Sequence, residues 1–117
     1  MEATAHSRYN MISARKARQV ADLVRGKSVE EAVATLSLTA KKASPMIQKT
    51  ILAAVANARQ KGEGASIPED EFFIADIRID DGPMFKRIRP RAQGRAFRRR
   101  KRTSHIRVTV RAESDAS

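Results

Sequence analysis

The sequence predicts an α+β fold, with three helices packed on a small antiparallel sheet and a long β-hairpin arm protruding from it. Three observations lead there. Apolar residues recur at steps of three and four between residues 13 and 60. The step changes to two in the segments 71–80 and 104–111. The stretch between those two segments is dense in arginine and carries no acid.

The elements follow in chain order. Thr4 to Tyr9 is read as a short strand on the β preference of Thr and Tyr, although its apolar alternation is faint. Ser13 then precedes Ala17, Val20, Ala21 and Val24 at helical spacing, and Gly26 follows Arg25, so cap, stripe and stop predict a first helix ending near Arg25. Ser28 and Glu31 stand at capping-box spacing ahead of Val29, Ala32, Val33 and Leu36, which predicts a second helix after a short turn. Ala43, Ile47, Ile51, Ala54 and Ala58, flanked by Met46, Thr50 and Val55, define a third helix from near Lys41 or Ser44 to about Gln60, with Pro45 admissible in its first turn. Gly62 and Gly64 stop it.

Between Glu71 and Asp80 the alternation sets Phe73, Ala75, Ile77 and Ile79 inward, with Asp76, Arg78 and Asp80 outward. From Ser104 to Arg111 it returns, with Ile106, Val108 and Val110 inward and Arg107, Thr109 and Arg111 outward. These two strands are expected to pair antiparallel. Asp76 and Asp80 are then expected to meet Arg107 or Arg111 across the sheet. If the strands pair, the residues between them form a connection far longer than a hairpin loop. Pro90 to Arg95 is the best place for a reversal, and about ten residues each way at roughly 3.3 Å per residue reach roughly 30 Å. We therefore expect a single domain over 1–112 that includes a hairpin arm at 82–103, and a flexible tail at 113–117.

Composition narrows the function. The 117 residues hold 24 Lys and Arg against 13 Asp and Glu, a formal net charge of +11. From Pro83 to Arg111 there are 12 basic residues and no acid. Such crowding is self-repelling unless a polyanion neutralises it. The densest part is Lys86, Arg87, Arg89, Arg91, Arg95, Arg98, Arg99, Arg100, Lys101 and Arg102, mostly the guanidinium groups suited to bidentate phosphate contact and base stacking. A second basic set consists of Arg8, Arg15, Lys16, Arg18, Arg25, Lys27, Lys41 and Lys42, on and around the first helix and at the start of the third. A solvated face opposite the core is the alternative reading of that set. RNA is favoured over DNA as the partner, because an irregular Arg-rich arm suits folded RNA and no element reads as a major-groove recognition helix. An arm in a DNA minor groove is the competing reading.

Other chemistries find little support. There is no cysteine for disulfides, zinc or thiol catalysis, and His6 and His105 lack metal-ligand spacing, so no metal or other cofactor is expected. Glu69, Asp70 and Glu71 read as a solvated turn, and adjacent Ser104 and His105 point to opposite faces of a strand, so no enzyme is expected. The apolar runs are far short of a bilayer span and the N-terminus lacks a signal pattern, which predicts a soluble, intracellular protein without a membrane partner.

Several stretches are also familiar together. Ser13-Ala-Arg-Lys-Ala-Arg, Ala21-Asp-Leu-Val-Arg-Gly-Lys-Ser, Ala54-Val-Ala-Asn-Ala, Asp81-Gly-Pro, Lys86-Arg, Pro90-Arg-Ala, Gly94-Arg-Ala and Lys101-Arg-Thr-Ser-His-Ile follow one another along the chain. In that order the chain closely resembles the bacterial-type family of large-ribosomal-subunit protein number twenty-two, over nearly its whole length. The resemblance implies a small body on the outer face of the large subunit, bound to its ribosomal RNA, supporting subunit assembly and beside other large-subunit proteins. It also implies a hairpin threading inward to line the nascent-peptide exit tunnel, with the nascent peptide as a partner and no homo-oligomer. By resemblance, Pro90, Arg91, Ala92, Gln93, Gly94, Arg95 and Ala96 form the tunnel-lining tip. Phe85, Lys86 and Arg87 fall on the strand where changes in the family are linked with altered macrolide response. The helix bearing Arg15 and Lys16 matches an RNA-facing surface. Gln93 stands where many relatives carry Lys or Arg, Asp81 replaces a frequent Glu, and Arg98 to Arg100 make the return strand more basic than usual.

Overall fold

The computed structural model describes residues 1–61, 67–83, 85–90 and 96–112. The expected stops Gly62 and Gly64, the tip residues Arg91, Ala92, Gln93, Gly94 and Arg95, and the tail 113–117 lie outside the described residues. Strand β1 (Glu2–Asn10) leads into helices α1 (Ala14–Ala21), α2 (Val29–Leu38) and α3 (Ala43–Arg59). Strands β2 (Phe72–Asp81), β3 (Phe85–Pro90), β4 (Ala96–Lys101) and β5 (Ser104–Ala112) follow. The α+β class and its three helices stand as the sequence predicts.

Three strands form one antiparallel sheet in the order β1-β5-β2, and β3 pairs with β4 in a separate two-stranded ribbon. Strand β5 is central, pairing with β1 on one flank and β2 on the other, and its Ile106, Val108 and Val110 are all fully buried. Helix α3 packs across β1 and β5, α1 lies against β2, and α2 leans on α3. The core between the layers is aliphatic, built from Ile47, Ile51, Ile74, Ile77 and Ile106 with the small Ala17, Ala21, Ala32 and Ala54 letting backbones approach. The long axis measures 68 Å against 27 and 15 Å across.

The helix starts are set by local chemistry. Ser13 Oγ accepts from Lys16 N at 3.4 Å, and Ser28 Oγ accepts from Glu31 N at 3.2 Å. Helix α1 stops earlier than its apolar stripe implies. After Asp22 the bonding tightens, with Leu23 N on Val20 O and Val24 N on Ala21 O, and Gly26 at φ +80° carries the chain into the left-handed region. Val24 stays fully buried although it has left the helix.

The phase of β2 also differs from the sequence reading. Ile74 pairs with Val110 and Asp76 with Thr109, so Ala75 is the extra residue of a bulge. Ahead of it the core takes Phe72 and Ile74, not Phe73 and Ala75, which are only half-buried; beyond it Ile77 and Ile79 are buried as expected. Simple alternation cannot register an inserted residue.

Both outer edges of the sheet are closed by groups from the helical layer. On β2, Ile74 N donates to Lys27 O at 2.9 Å, Arg25 Nη1 to Ile77 O at 2.7 Å and Arg18 Nη2 to Ile79 O at 2.8 Å. On β1, Asn57 Nδ2 donates to Thr4 O at 3.1 Å and Lys61 Nζ to Glu2 O at 3.2 Å. Edges satisfied in this way offer little to a foreign strand.

Candidate nucleic-acid interface

The basic residues of the body fall into two groups by what they touch. Burial of Ala14, Ala17, Val20 and Ala21 turns the other side of α1 outward, so Arg15 and Lys16 are exposed. Arg18 and Arg25 start from the same exposed surface but reach back to β2, where guanidinium forks satisfy backbone carbonyls; Arg25 Nη2 also lies 3.3 Å from Asp22 Oδ1. Lys42 Nζ donates to Met11 O at 2.8 Å, Lys41 is exposed, and Lys27 is half-buried with its carbonyl on β2. Arg8 is exposed near the end of β1. The side chains of Arg15, Lys16, Lys41 and Arg8 therefore carry charge outward with no intramolecular hydrogen bond of their own among the described residues, whereas those of Arg18, Arg25 and Lys42 also tie elements together.

The arm is described through its backbone. Its register sets Phe85 opposite Lys101, Lys86 opposite Arg100, Arg87 opposite Arg99, Ile88 opposite Arg98, Arg89 opposite Phe97 and Pro90 opposite Ala96. Two successive cross-strand pairs thus join like charges, an arrangement that is unfavourable without a counter-charge. The ribbon joins the body at a tight root. Gly82 N donates to Thr103 O at 2.9 Å, and the buried Thr103 returns its Oγ1 to Pro83 O at 2.7 Å. Arg102, next to this root, is exposed.

A third surface is the solvent face of the sheet, which the sequence reading did not single out for binding. Register places His6 beside Arg107 and Arg107 beside Arg78, with Asp80 opposite His105. The acids there pair otherwise than expected. Asp76 Oδ2 lies 2.9 Å from Arg78 Nε on its own strand, and Arg111 Nη2 lies 2.8 Å from Glu2 Oε2 on β1. The reason is topological: β1 occupies the other flank of β5 and sets Glu2 directly opposite Arg111. His6, Arg8, Tyr9, Asp80, His105, Ile106 and Arg107 line an open groove of about 340 Å³ on this face. The outward alternation of Arg107 and His105 was visible in the sequence; only the pairing of β1 with β5 brings Arg8 and Tyr9 to them. Among the described residues no group of three or more His, Cys, Asp or Glu is placed to hold a metal ion, and no helix is long and apolar enough to cross a membrane.

The family model described as ribosomal protein L22p/L17e matches residues 5–111. The large ribosomal subunit protein uL22 of Syntrophomonas wolfei is 51% identical over 111 residues, covering 95% of this chain and 96% of its own. The protein of the same name from Bdellovibrio bacteriovorus is 51% identical over 110 residues, covering 94% of this chain and 97% of its own.

Proposed function

Since the chain belongs to the ribosomal protein L22p/L17e family and is a structural constituent of the large ribosomal subunit rather than an enzyme, we propose that it binds large-subunit ribosomal RNA through two basic surfaces and lines the peptide exit path with its arm. The first surface is the outward set on the body: Arg15, Lys16 and Lys41, with Arg18, Arg25, Lys27 and Lys42 adding charge while they brace the fold, and Arg8 adding to it from the solvent face of the sheet. The second is the arm, Lys86 to Arg102. The observation that carries the reading is the β3–β4 register, in which Lys86 faces Arg100 and Arg87 faces Arg99. Such a ribbon gains stability when phosphates lie along it, so RNA both orders the arm and is held by it. The residues Pro90 to Ala96 then form the tip beside the growing peptide. On this reading the protein works in the cytoplasm without forming a homo-oligomer, in contact with neighbouring large-subunit proteins.

The mechanism is electrostatic and geometric. Each phosphate neutralised releases counterions, so affinity falls steeply with salt, by roughly 10³ to 10⁵ between 50 and 200 mM for about six to ten duplex-like contacts. The test is a salt-titrated competition. Labelled protein on large-subunit ribosomal RNA is challenged with duplex DNA at equal phosphate concentration, beside a variant carrying Arg98→Gln, Arg99→Gln and Arg100→Gln. Selective retention on RNA, weakened in the variant and with a shallower salt slope, is the expected result. Equal displacement by DNA makes the arm a general polyanion clamp and overturns the reading.

A further inference from the structure

The groove on the solvent face of the sheet is organised around a strained aromatic residue. Tyr9 lies at φ 57°, the left-handed region that costs energy in any residue other than glycine, yet 60% of it is exposed. Core packing therefore does not repay the strain. What holds the conformation is a dense local network at the irregular end of β1. Asn10 Nδ2 donates to Ser7 O at 3.0 Å and to Ser104 O at 3.3 Å, and Ser7 Oγ donates to Asn10 Oδ1 at 3.0 Å. Tyr9 N itself donates to His105 Nδ1 at 3.1 Å. The two rings meet edge to face, 5.0 Å apart at 89°, so the imidazole fixes the phenol while leaving much of it open. Strain kept in place by a surrounding network is a mark of a working position.

The neighbours supply the rest of a recognition site. Arg8 and Arg107 line the same groove, and neither forms an ion pair among the described residues. Asp80 lines it too, as an acceptor for a donor-bearing edge. An exposed aromatic ring that shares a groove with two arginines and one carboxylate matches an unpaired nucleobase with its flanking phosphates. A duplex, whose bases are stacked inside, has no plane to offer. An acidic peptide would satisfy the arginines but leave Tyr9 and Asp80 without a role.

We infer that this groove captures one unpaired base of single-stranded RNA, stacked on Tyr9, with phosphates on Arg8 and Arg107 and an amino edge on Asp80. This rests on the RNA-binding reading above and adds a site separate from the arm and from α1. It also explains why strain is retained at Tyr9: the backbone conformation presents the ring to solvent.

Tyr9 is the single tyrosine of the chain, so its ring protons give one unambiguous set of NMR signals. The full-length protein is titrated with a short oligoadenylate, with inorganic polyphosphate and with polyglutamate, and in parallel its retention on large-subunit ribosomal RNA is measured. Oligoadenylate is expected to move the Tyr9 signals upfield while the two base-free polyanions leave them in place. Arg107→Gln should raise the oligoadenylate concentration needed for that shift several-fold. Tyr9→Gly, which relieves the backbone strain, should keep or raise the thermal midpoint yet weaken oligoadenylate binding between about fivefold and a hundredfold, the range for one base stack. Tyr9 signals that stay still under saturating oligoadenylate overturn the inference, as does an equal shift with polyphosphate or polyglutamate. If ribosomal RNA is still retained in those cases, only this groove fails; if it is not, the proposed function fails with it.

Discussion

Arg18 on α1 donates two hydrogen bonds to the carbonyl oxygen of Ile79 on β2, from Nε at 3.2 Å and from Nη2 at 2.8 Å. A basic residue on a surface helix thereby acts as a clasp on a sheet edge. Ile79 is buried while Arg18 stays largely exposed, so the guanidinium spans the boundary between core and solvent.

Arg18→Ala should destabilise the fold by about 1 kcal/mol, the net worth of such a bond with water able to reach part of the vacated carbonyl. The thermal midpoint should fall by roughly 3–6 °C. Arg18→Lys should restore little, since an ammonium lacks the planar fork. Calorimetry of the three proteins checks this, and an unchanged midpoint in the alanine variant would show that the contact contributes nothing.

Gly82 is required by the space at the arm's root. A Cβ there would collide with Thr103 Oγ1 and stand 3.2 Å from His105 Cε1. Thr103 is buried and its hydroxyl is held by Pro83 O, so it has little freedom to yield. Gly82→Ala should cost about 1–3 kcal/mol by overpacking. Combining it with Thr103→Ala should recover part of that loss, a positive coupling readable from a double-mutant cycle in urea. Strict additivity would place the strain elsewhere.

The helix caps should rank by their geometry. Ser28→Ala removes a hydroxyl 3.2 Å from Glu31 N, and Ser13→Ala one 3.4 Å from Lys16 N. We expect about 1 kcal/mol for Ser28 and less for Ser13. Urea midpoints at equal m-values test the order, and a larger loss at Ser13 contradicts it.

The body should fold without its arm. Asp81 pairs with Ser104, and Gly82 N reaches Thr103 O, so the ends of β2 and β5 stand side by side where the arm leaves. Replacing residues 84–102 by a short Asn-Gly turn should leave a cooperative thermal transition intact while lowering affinity for ribosomal RNA. A broad, non-cooperative melt would make the arm part of the folding unit.

Much of the fold was legible because its signals are local. Ser13 and Ser28 mark helix starts, the Ala43 to Ala58 stripe fixes α3, and Ile106, Val108 and Val110 name the inner face of β5. The arm was legible from the length of the connection between the two alternating strands, and its basic character from charge density. Less legible were features that depend on one inserted residue or on distant partners. The bulge at Ala75 reversed which of Phe72 and Phe73 is buried, and the early stop of α1 hid behind a stripe that Val24 continues outside the helix.

The sequence by itself determined the class of the fold, the order of its elements and the segregation of positive charge, since periodicity, capping and charge are properties of neighbouring residues. Only the tertiary structure decided what each basic side chain does. Arg15 and Arg18 lie on the same helix, three residues apart, yet one faces solvent and the other clasps Ile79. Tyr9 and Arg107 share a groove although 98 positions separate them in the sequence. The reason is that a guanidinium can satisfy a phosphate or a carbonyl equally well, and which it meets is set by the strand order β1-β5-β2, a long-range pairing that no local pattern encodes.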